Sequence, residues 1–282
     1  MKIQQKLFLS SIKLRLYFLL SISTQRAAAF AFKRFCTPLP TTHKRKKPKI
    51  ISEGNPQKLL CDGKNLCGYQ FNAGKKNKLL ILHGFSSSLL NFHSYISAFV
   101  AKDYEVLCFD APAHGDSEGK QVHAVDYKNM ILAIIEKYGP INRFLAHSFG
   151  GIALSLAAET IKQTEDTKII FIAPATETTT AIASVLQMLN IKNEGLTKAI
   201  DKEIIKKGGE NTAWYSMRRA VKNIDAEILW IHDKADNVTP FSDVEYVITD
   251  ANAHINFMIT NGLGHRQIYR NEEVKKRILS FL

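Results

Sequence analysis

A mostly parallel α/β sheet is the fold class this sequence predicts, and three observations predict it. Short apolar runs recur without alternating polarity, the pattern of strands buried on both faces. Stretches with helical spacing of apolar residues separate them. A serine, an aspartate and a histidine follow three of those runs in turn-like contexts. Strands alternating with helices build a sheet covered on both faces.

The first two strands, Lys58–Cys61 and Leu66–Phe71, flank Asp62-Gly63-Lys64-Asn65 and read as a hairpin with a slightly long turn. Six apolar runs follow: Leu79–Leu82, Glu105–Phe109, Arg143–Ala146, Lys168–Ile172, Glu227–Ile231 and Asn256–Ile259. Helical stretches between them are Leu90–Lys102, Ala124–Tyr138, Gly151–Lys162 and Ser242–Asp250. The chain closes on Asn271–Leu282, with Asn271 as N-cap and Glu272 and Glu273 in the first turn. More than fifty residues separate the sixth strand from the seventh. They read as helices Thr178–Asn190, Leu196–Lys207 and Ala213–Lys222, broken at Gly195 and Gly208-Gly209. An insertion this long is more than a loop, and the spacing predicts a helical cap at about 175–225.

Charge separates this body from what precedes it. The 282 residues hold 38 Lys+Arg and 26 Asp+Glu, a net charge of +12. Residues 1–58 hold 13 basic residues and one acid, Glu53, so the rest is neutral. A nucleic-acid enzyme carries its basic patch on the folded body, so no nucleic-acid partner is expected. The domain reading is a basic N-terminal arm over 1–57 and a catalytic domain over 58–282. In the arm, Phe8, Leu9, Ile12, Leu16, Leu19 and Leu20 share one helical face, with Lys6, Ser10 and Lys13 opposite. Lys13 and Arg15 interrupt any run long enough to span a bilayer. The run His43-Lys44-Arg45-Lys46-Lys47-Pro48-Lys49 reads as an exposed linker. Three readings of the arm stand open: a helix packed on the body, a peripheral membrane anchor, and a secretory signal with Ala-rich cleavage options near Ala27–Ala31. The location expected is cytoplasmic, with the inner membrane face and secretion as alternatives. Four cysteines do not make a disulfide scaffold; Cys61 and Cys67 could face each other across the hairpin, or serve as small apolar residues. No His/Cys/Asp/Glu cluster has metal spacing and no nucleotide-binding glycine loop occurs, so neither metal nor cofactor is expected.

The sharpest motif is Ala146-His147-Ser148-Phe149-Gly150-Gly151, where a strand runs into a serine and a helix begins at once. Small residues two before and two after the serine suit a turn too tight for larger neighbours, a nucleophile elbow. An ordinary helix N-cap is the competing role for such a serine. A serine nucleophile needs a base, itself oriented by an acid. Asp236 follows the seventh strand and His265 follows the eighth, giving the order Ser, Asp, His. Asp233 is a rival acid three residues earlier. After the third strand, His83-Gly84-Phe85 allows close backbone approach, so the N–H groups of Phe85 and Phe149 are candidate oxyanion donors. Asp110-Ala111-Pro112-Ala113-His114-Gly115-Asp116-Ser117 makes a tight turn after the fourth. His83, His114 and His147 sit inside these motifs as loop-shaping residues.

In these five elements the chain resembles the α/β-hydrolase superfamily, its serine esterase/lipase-like branch with a helical cap. Ala146 departs mildly from the usual glycine at the elbow. The resemblance implies a mostly parallel sheet flanked by helices, with the cap inserted after the sixth strand. It implies a Ser148–His265–Asp236 triad, since the superfamily's acid lies four residues before the proline, here Pro240. The activity implied is cleavage of an ester, thioester or related small-molecule acyl substrate. An acyltransferase on the same triad, or a ligand-binding relative with little turnover, are the alternatives.

Overall fold

The computed structural model describes residues 3–39 and 47–282, and groups them in two compact units. His43-Lys44-Arg45-Lys46, the first four residues of the basic run, lie outside the described residues.

The larger unit, Pro38–Thr176 with Ser216–Leu282, carries the sheet. The chain enters it through a short helix, Lys49–Glu53 (α3; α1 and α2 belong to the second unit), and runs into β1 (Asn55–Cys61) and β2 (Lys64–Phe71). These strands are longer than the sequence suggests, and the turn shrinks to Asp62-Gly63. Both turn residues have positive φ, 48° and 69°, the type I′ geometry that matches strand twist. Cys67 pairs with Lys58 and Cys61 with Lys64, so the two cysteines are not cross-strand partners, and both are free.

Next come β3 (Lys78–Leu82), α4 (His93–Ala101), β4 (Glu105–Phe109), α5 (Ala124–Tyr138), β5 (Arg143–His147), α6 (Phe149–Ala158) and β6 (Lys168–Ile172). After the insertion follow α9 (Met217–Ala220), β7 (Glu227–Asp233), α10 (Phe241–Thr249), β8 (Ile255–Thr260), α11 (Gly264–Gln267) and α12 (Glu272–Phe281). The eight strands lie in the order β1-β2-β4-β3-β5-β6-β7-β8. β1 and β2 are antiparallel additions; β3 through β8 run parallel. Every residue of β4 is buried, as are four of five in β3, β5 and β6, which explains their continuous apolar character. One core side packs Phe92, Tyr95, Phe99, Val274 and Ile278 against Leu79, Ile81, Val106, Leu145, Ile170 and Leu229. This is the α/β-hydrolase architecture. The chain leaves β3 toward β4 on one side and returns to β5 on the other, a topological switch point where open sheets bind ligands.

The second unit joins Met1–Thr37 to Glu177–Tyr215. It contains α1 (Ile3–Ile22), α2 (Thr24–Phe35), α7 (Thr178–Met188) and α8 (Glu194–Gly208). The division therefore differs from a separate arm over 1–57 and a cap over 175–225: α1 and α2 share a unit with the inserted helices, and α2 packs along α8. Ala27, Ala28 and Ala31 form the buried stripe of α2, small enough for close helix approach. Ser23 separates α1 from α2 by capping the latter through the Arg26 N–H. The Tyr17 hydroxyl donates to the Asn190 carbonyl at 3.1 Å.

Two inserted-helix boundaries also differ. Gly195 does not break the chain; it sits in the first turn of α8, because Asn193 accepts the Leu196 N–H at 2.8 Å and starts the helix earlier. Gly209, at φ 92°, ends it as expected. Ala213–Lys222 is not one helix. Asn211 and Ser216 each cap a new turn, accepting the Trp214 and Arg219 N–H groups, so the segment splits into a 3₁₀ turn, α9 and a second 3₁₀ turn.

Candidate active site

The site lies at the carboxyl ends of β3, β5, β7 and β8. β5 ends at His147, and α6 begins at Phe149, so Ser148 alone makes the turn. Its φ of 53° is costly for a residue with a Cβ, and a strained serine between strand and helix is the elbow geometry. Gly150 must be small: a Cβ there would stand 2.7 Å from the His83 carbonyl oxygen. A Cβ on Gly84 would stand 2.9 Å from the Ser148 Cβ, so only glycine lets that backbone approach the serine.

The structure brings the three sequence-predicted side chains together. Ser148 Oγ lies 3.0 Å from His265 Nε2, and His265 Nδ1 lies 2.8 Å from Asp236 Oδ2. Nδ1–H donating to the carboxylate leaves Nε2 as acceptor for the serine hydroxyl. Burial alone would raise the Asp236 carboxyl, but the hydrogen bond and charge of His265, with the Thr239 and Val238 amides, outweigh it and hold it at about 2. The Thr239 hydroxyl donates to Asp236 Oδ2 at 2.9 Å and lies 3.2 Å from His265 Nδ1. Spacing did not single out Thr239; its only sequence signal is its place between the acid and Pro240.

Asp233 does not reach the histidine ring. Its four hydrogen bonds go to its own loop and to the segment before His265.

Phe149 opens α6, so its N–H has no intrahelical acceptor. Phe85 follows Gly84, and its ring meets that of Phe149 edge-on at 5.5 Å. The loop bearing Phe85 is fixed by two buried histidines. His83 Nε2 accepts the Ala111 N–H at 2.9 Å while Nδ1–H donates to the Gly84 carbonyl at 2.8 Å. His114 Nε2 accepts the Ser86 N–H at 2.9 Å while Nδ1–H donates to the Pro112 carbonyl at 3.0 Å. The Tyr127 hydroxyl donates to the His83 carbonyl at 3.0 Å. His147 is also buried, and its Nε2–H donates to the His265 carbonyl at 3.1 Å. Among the described residues, no group of three or more His, Cys, Asp or Glu is placed to hold a metal ion.

Burial lowers the imidazoles of His83 and His114 to about 4 and that of His147 to about 3. An unfolded histidine titrates near 6.5. Between those values the unfolded chain binds more protons than the native one, so stability is complete above about pH 6.5 and falls as pH drops toward 4. All three imidazoles act in the same direction across that window. Thermal midpoints at pH 7, 5.5 and 4 therefore decline in that order; a flat or rising series contradicts the burial of neutral histidines.

Residues 73–226, more than half of the chain, match the family model Hydrolase_4, described as serine aminopeptidase, S33. An esterase/lipase-named protein of Mycoplasma pneumoniae is 29% identical over 100 residues, 35% of this chain and 37% of that protein. The match thus spans well under two thirds of that relative's length. Among solved structures, an esterase of Pyrococcus furiosus superposes with a TM-score of 0.66 at 20% identity, over 88% of this chain and 97% of that one. The alpha/beta hydrolase domain-containing protein 10 from mouse does so at 0.59 and 15% identity, over 80% and 96%. Both likenesses are of fold. With the family match over more than half its length, the chain belongs to the Hydrolase_4 (serine aminopeptidase, S33) family of α/β-hydrolases.

Proposed function

We propose that the protein is a serine hydrolase that cleaves a carboxylic ester, thioester or related acyl substrate through an acyl-enzyme. The observation that carries this reading is the connected line from Asp236 to His265 to Ser148, at 2.8 and 3.0 Å, with the serine lifted on its elbow. Ser148 Oγ attacks the acyl carbonyl carbon while His265 Nε2 takes the hydroxyl proton. Asp236 stabilises the imidazolium. The carbonyl oxygen becomes an alkoxide held by the amides of Phe85 and Phe149, each donor worth about 3–4 kcal/mol. Collapse expels the alcohol or thiol, which receives the Nε2 proton. Water then gives its proton to Nε2, attacks the acyl carbon, and a second collapse returns the proton to Ser148 as the acid leaves. A panel of nitrophenyl esters of graded chain length, with one thioester, tests the reading. Turnover and covalent labelling by a fluorophosphonate are expected of the folded protein; absence of both overturns the reading.

For α1 we propose a contact with an anionic membrane surface. Leu14, Tyr17, Phe18 and Ile22 are exposed along one side of the helix, opposite the more covered Leu16. Residues 1–37 carry seven Lys and Arg and no acid. An exposed apolar strip within a basic segment suits the interface of an acidic bilayer. No described helix is long and apolar enough to cross a membrane. Sedimentation with phosphatidylserine vesicles is expected for the wild type, and neither with pure phosphatidylcholine nor for the double variant Leu14→Glu, Phe18→Glu. Equal sedimentation of both proteins, or none of either, contradicts it.

A further inference from the structure

We propose that Asp233 is a positioning residue that pins the backbone of the loop carrying His265. The inference rests on the hydrolase reading, and assigns the second acid of the β7 loop a task separate from that of Asp236.

Asp233 is the last residue of β7 and is fully buried. Its Oδ1 accepts the Ala235 N–H at 2.9 Å and the Gly264 N–H at 2.9 Å. Its Oδ2 accepts the Thr260 hydroxyl at 2.6 Å and the Leu263 N–H at 3.0 Å. Four donors around two oxygens suit a carboxylate anion, and bonds to an ionised acceptor are the strong kind. Three of the four come from Thr260, Leu263 and Gly264, between the end of β8 and His265.

That segment needs an external hold. Gly262 and Gly264 have φ of 88° and 61°, conformations in which glycine supplies freedom rather than rigidity. Asp233 fixes the N–H one residue before His265, and His147 Nε2–H fixes the His265 carbonyl. The histidine backbone is thus held on both sides, while Asp236 and Thr239 fix the ring. A clamp on backbone and a clamp on ring are separable by mutation.

An amide cannot replace this carboxylate. In Asp233→Asn, an NH₂ in place of Oδ1 faces the Ala235 and Gly264 N–H groups, and one in place of Oδ2 faces the Leu263 N–H, so either way at least one hydrogen bond becomes a donor–donor conflict. The ring of His265 would keep Asp236 but lose its place, and a displacement of about 1 Å costs up to about 100-fold.

Two measurements on the full chain test the proposal, one of activity and one independent of it. The first is kcat and KM on a nitrophenyl ester, with the fluorophosphonate labelling rate of Ser148. The second is hydrogen exchange of the amides in residues 261–267. For Asp233→Asn, kcat is expected to fall about 10- to 100-fold with KM nearly unchanged, and residues 261–267 to lose protection while β7 and β8 keep theirs. Thr260→Val removes one donor and should give a smaller fall in kcat, restored by Thr260→Ser; this series serves if Asp233→Asn does not fold. Exchange and kcat both within twofold of wild type overturn the clamp, as does lost protection with kcat intact. A wild type that neither turns over nor labels, in which Asp233→Asn still deprotects 261–267, refutes the hydrolase reading and leaves the clamp standing.

Discussion

Ser148→Ala is expected to lower ester turnover by about 10⁴- to 10⁶-fold, the usual loss when a triad nucleophile is removed. The fold should survive. Alanine inherits the same φ of 53°, so the backbone cost is already present in the native chain. Removing the hydroxyl breaks only its contact with His265 Nε2, and the hydrogen bonds of the Ser148 backbone with Ile172, Gly151 and Ala175 remain. The check is kcat/KM beside a thermal midpoint. Turnover within tenfold of wild type, at an unchanged midpoint, would mean that Ser148 is not the nucleophile and that the chemistry is elsewhere.

Asp236→Asn is expected to cost about 10⁴-fold in kcat with little change in KM. The reason is the tautomer. With a carboxylate as partner, His265 carries its proton on Nδ1 and offers Nε2 to the serine. An amide NH₂ in place of Oδ2 would donate to Nδ1, moving the imidazole proton to Nε2, where it faces Ser148 and cannot accept. The loss should exceed that of Asp233→Asn by about 100- to 1,000-fold, because the latter displaces the base without changing its protonation. Equal losses for the two variants would erase the distinction between an acid on the ring and an acid on the backbone. Stepped-pH assays strengthen the comparison: with Asp236 held at about 2, its protonation should not limit wild-type activity above about pH 4.

The sheet was legible because its strands are buried on both faces. Runs such as Glu105–Phe109 and Lys168–Ile172 have no polar alternation to blur them, and both appear in the structure at those bounds. Ser148, Asp236 and His265 were legible for a different reason: each stands where a strand ends, and a tight turn there restricts residue choice. Choosing between Asp233 and Asp236 needed the family pattern, because both acids are on one short loop. The structure separates them by what their oxygens meet.

What stayed hidden was mostly partnership. An apolar stripe such as Ala27, Ala28 and Ala31 announces that a helix is covered, and says nothing about which helix covers it. The pairing of α2 with α8 joins segments some 170 residues apart in the chain. The third inserted helix was lost to side-chain caps at Asn211 and Ser216, local competitors that helical periodicity does not weigh. His147 escaped notice as a partner of His265 because its contact is with a carbonyl, and carbonyls leave no mark in a sequence.

The central claim, that Ser148 is an activated nucleophile, is tested most directly by mapping the fluorophosphonate adduct with peptide mass spectrometry. One adduct is predicted, on the peptide containing Ser148, with no adduct in Ser148→Ala and a sharply slower one in Asp236→Asn. An adduct on a different residue, or none on a folded wild type that still hydrolyses esters, would contradict it.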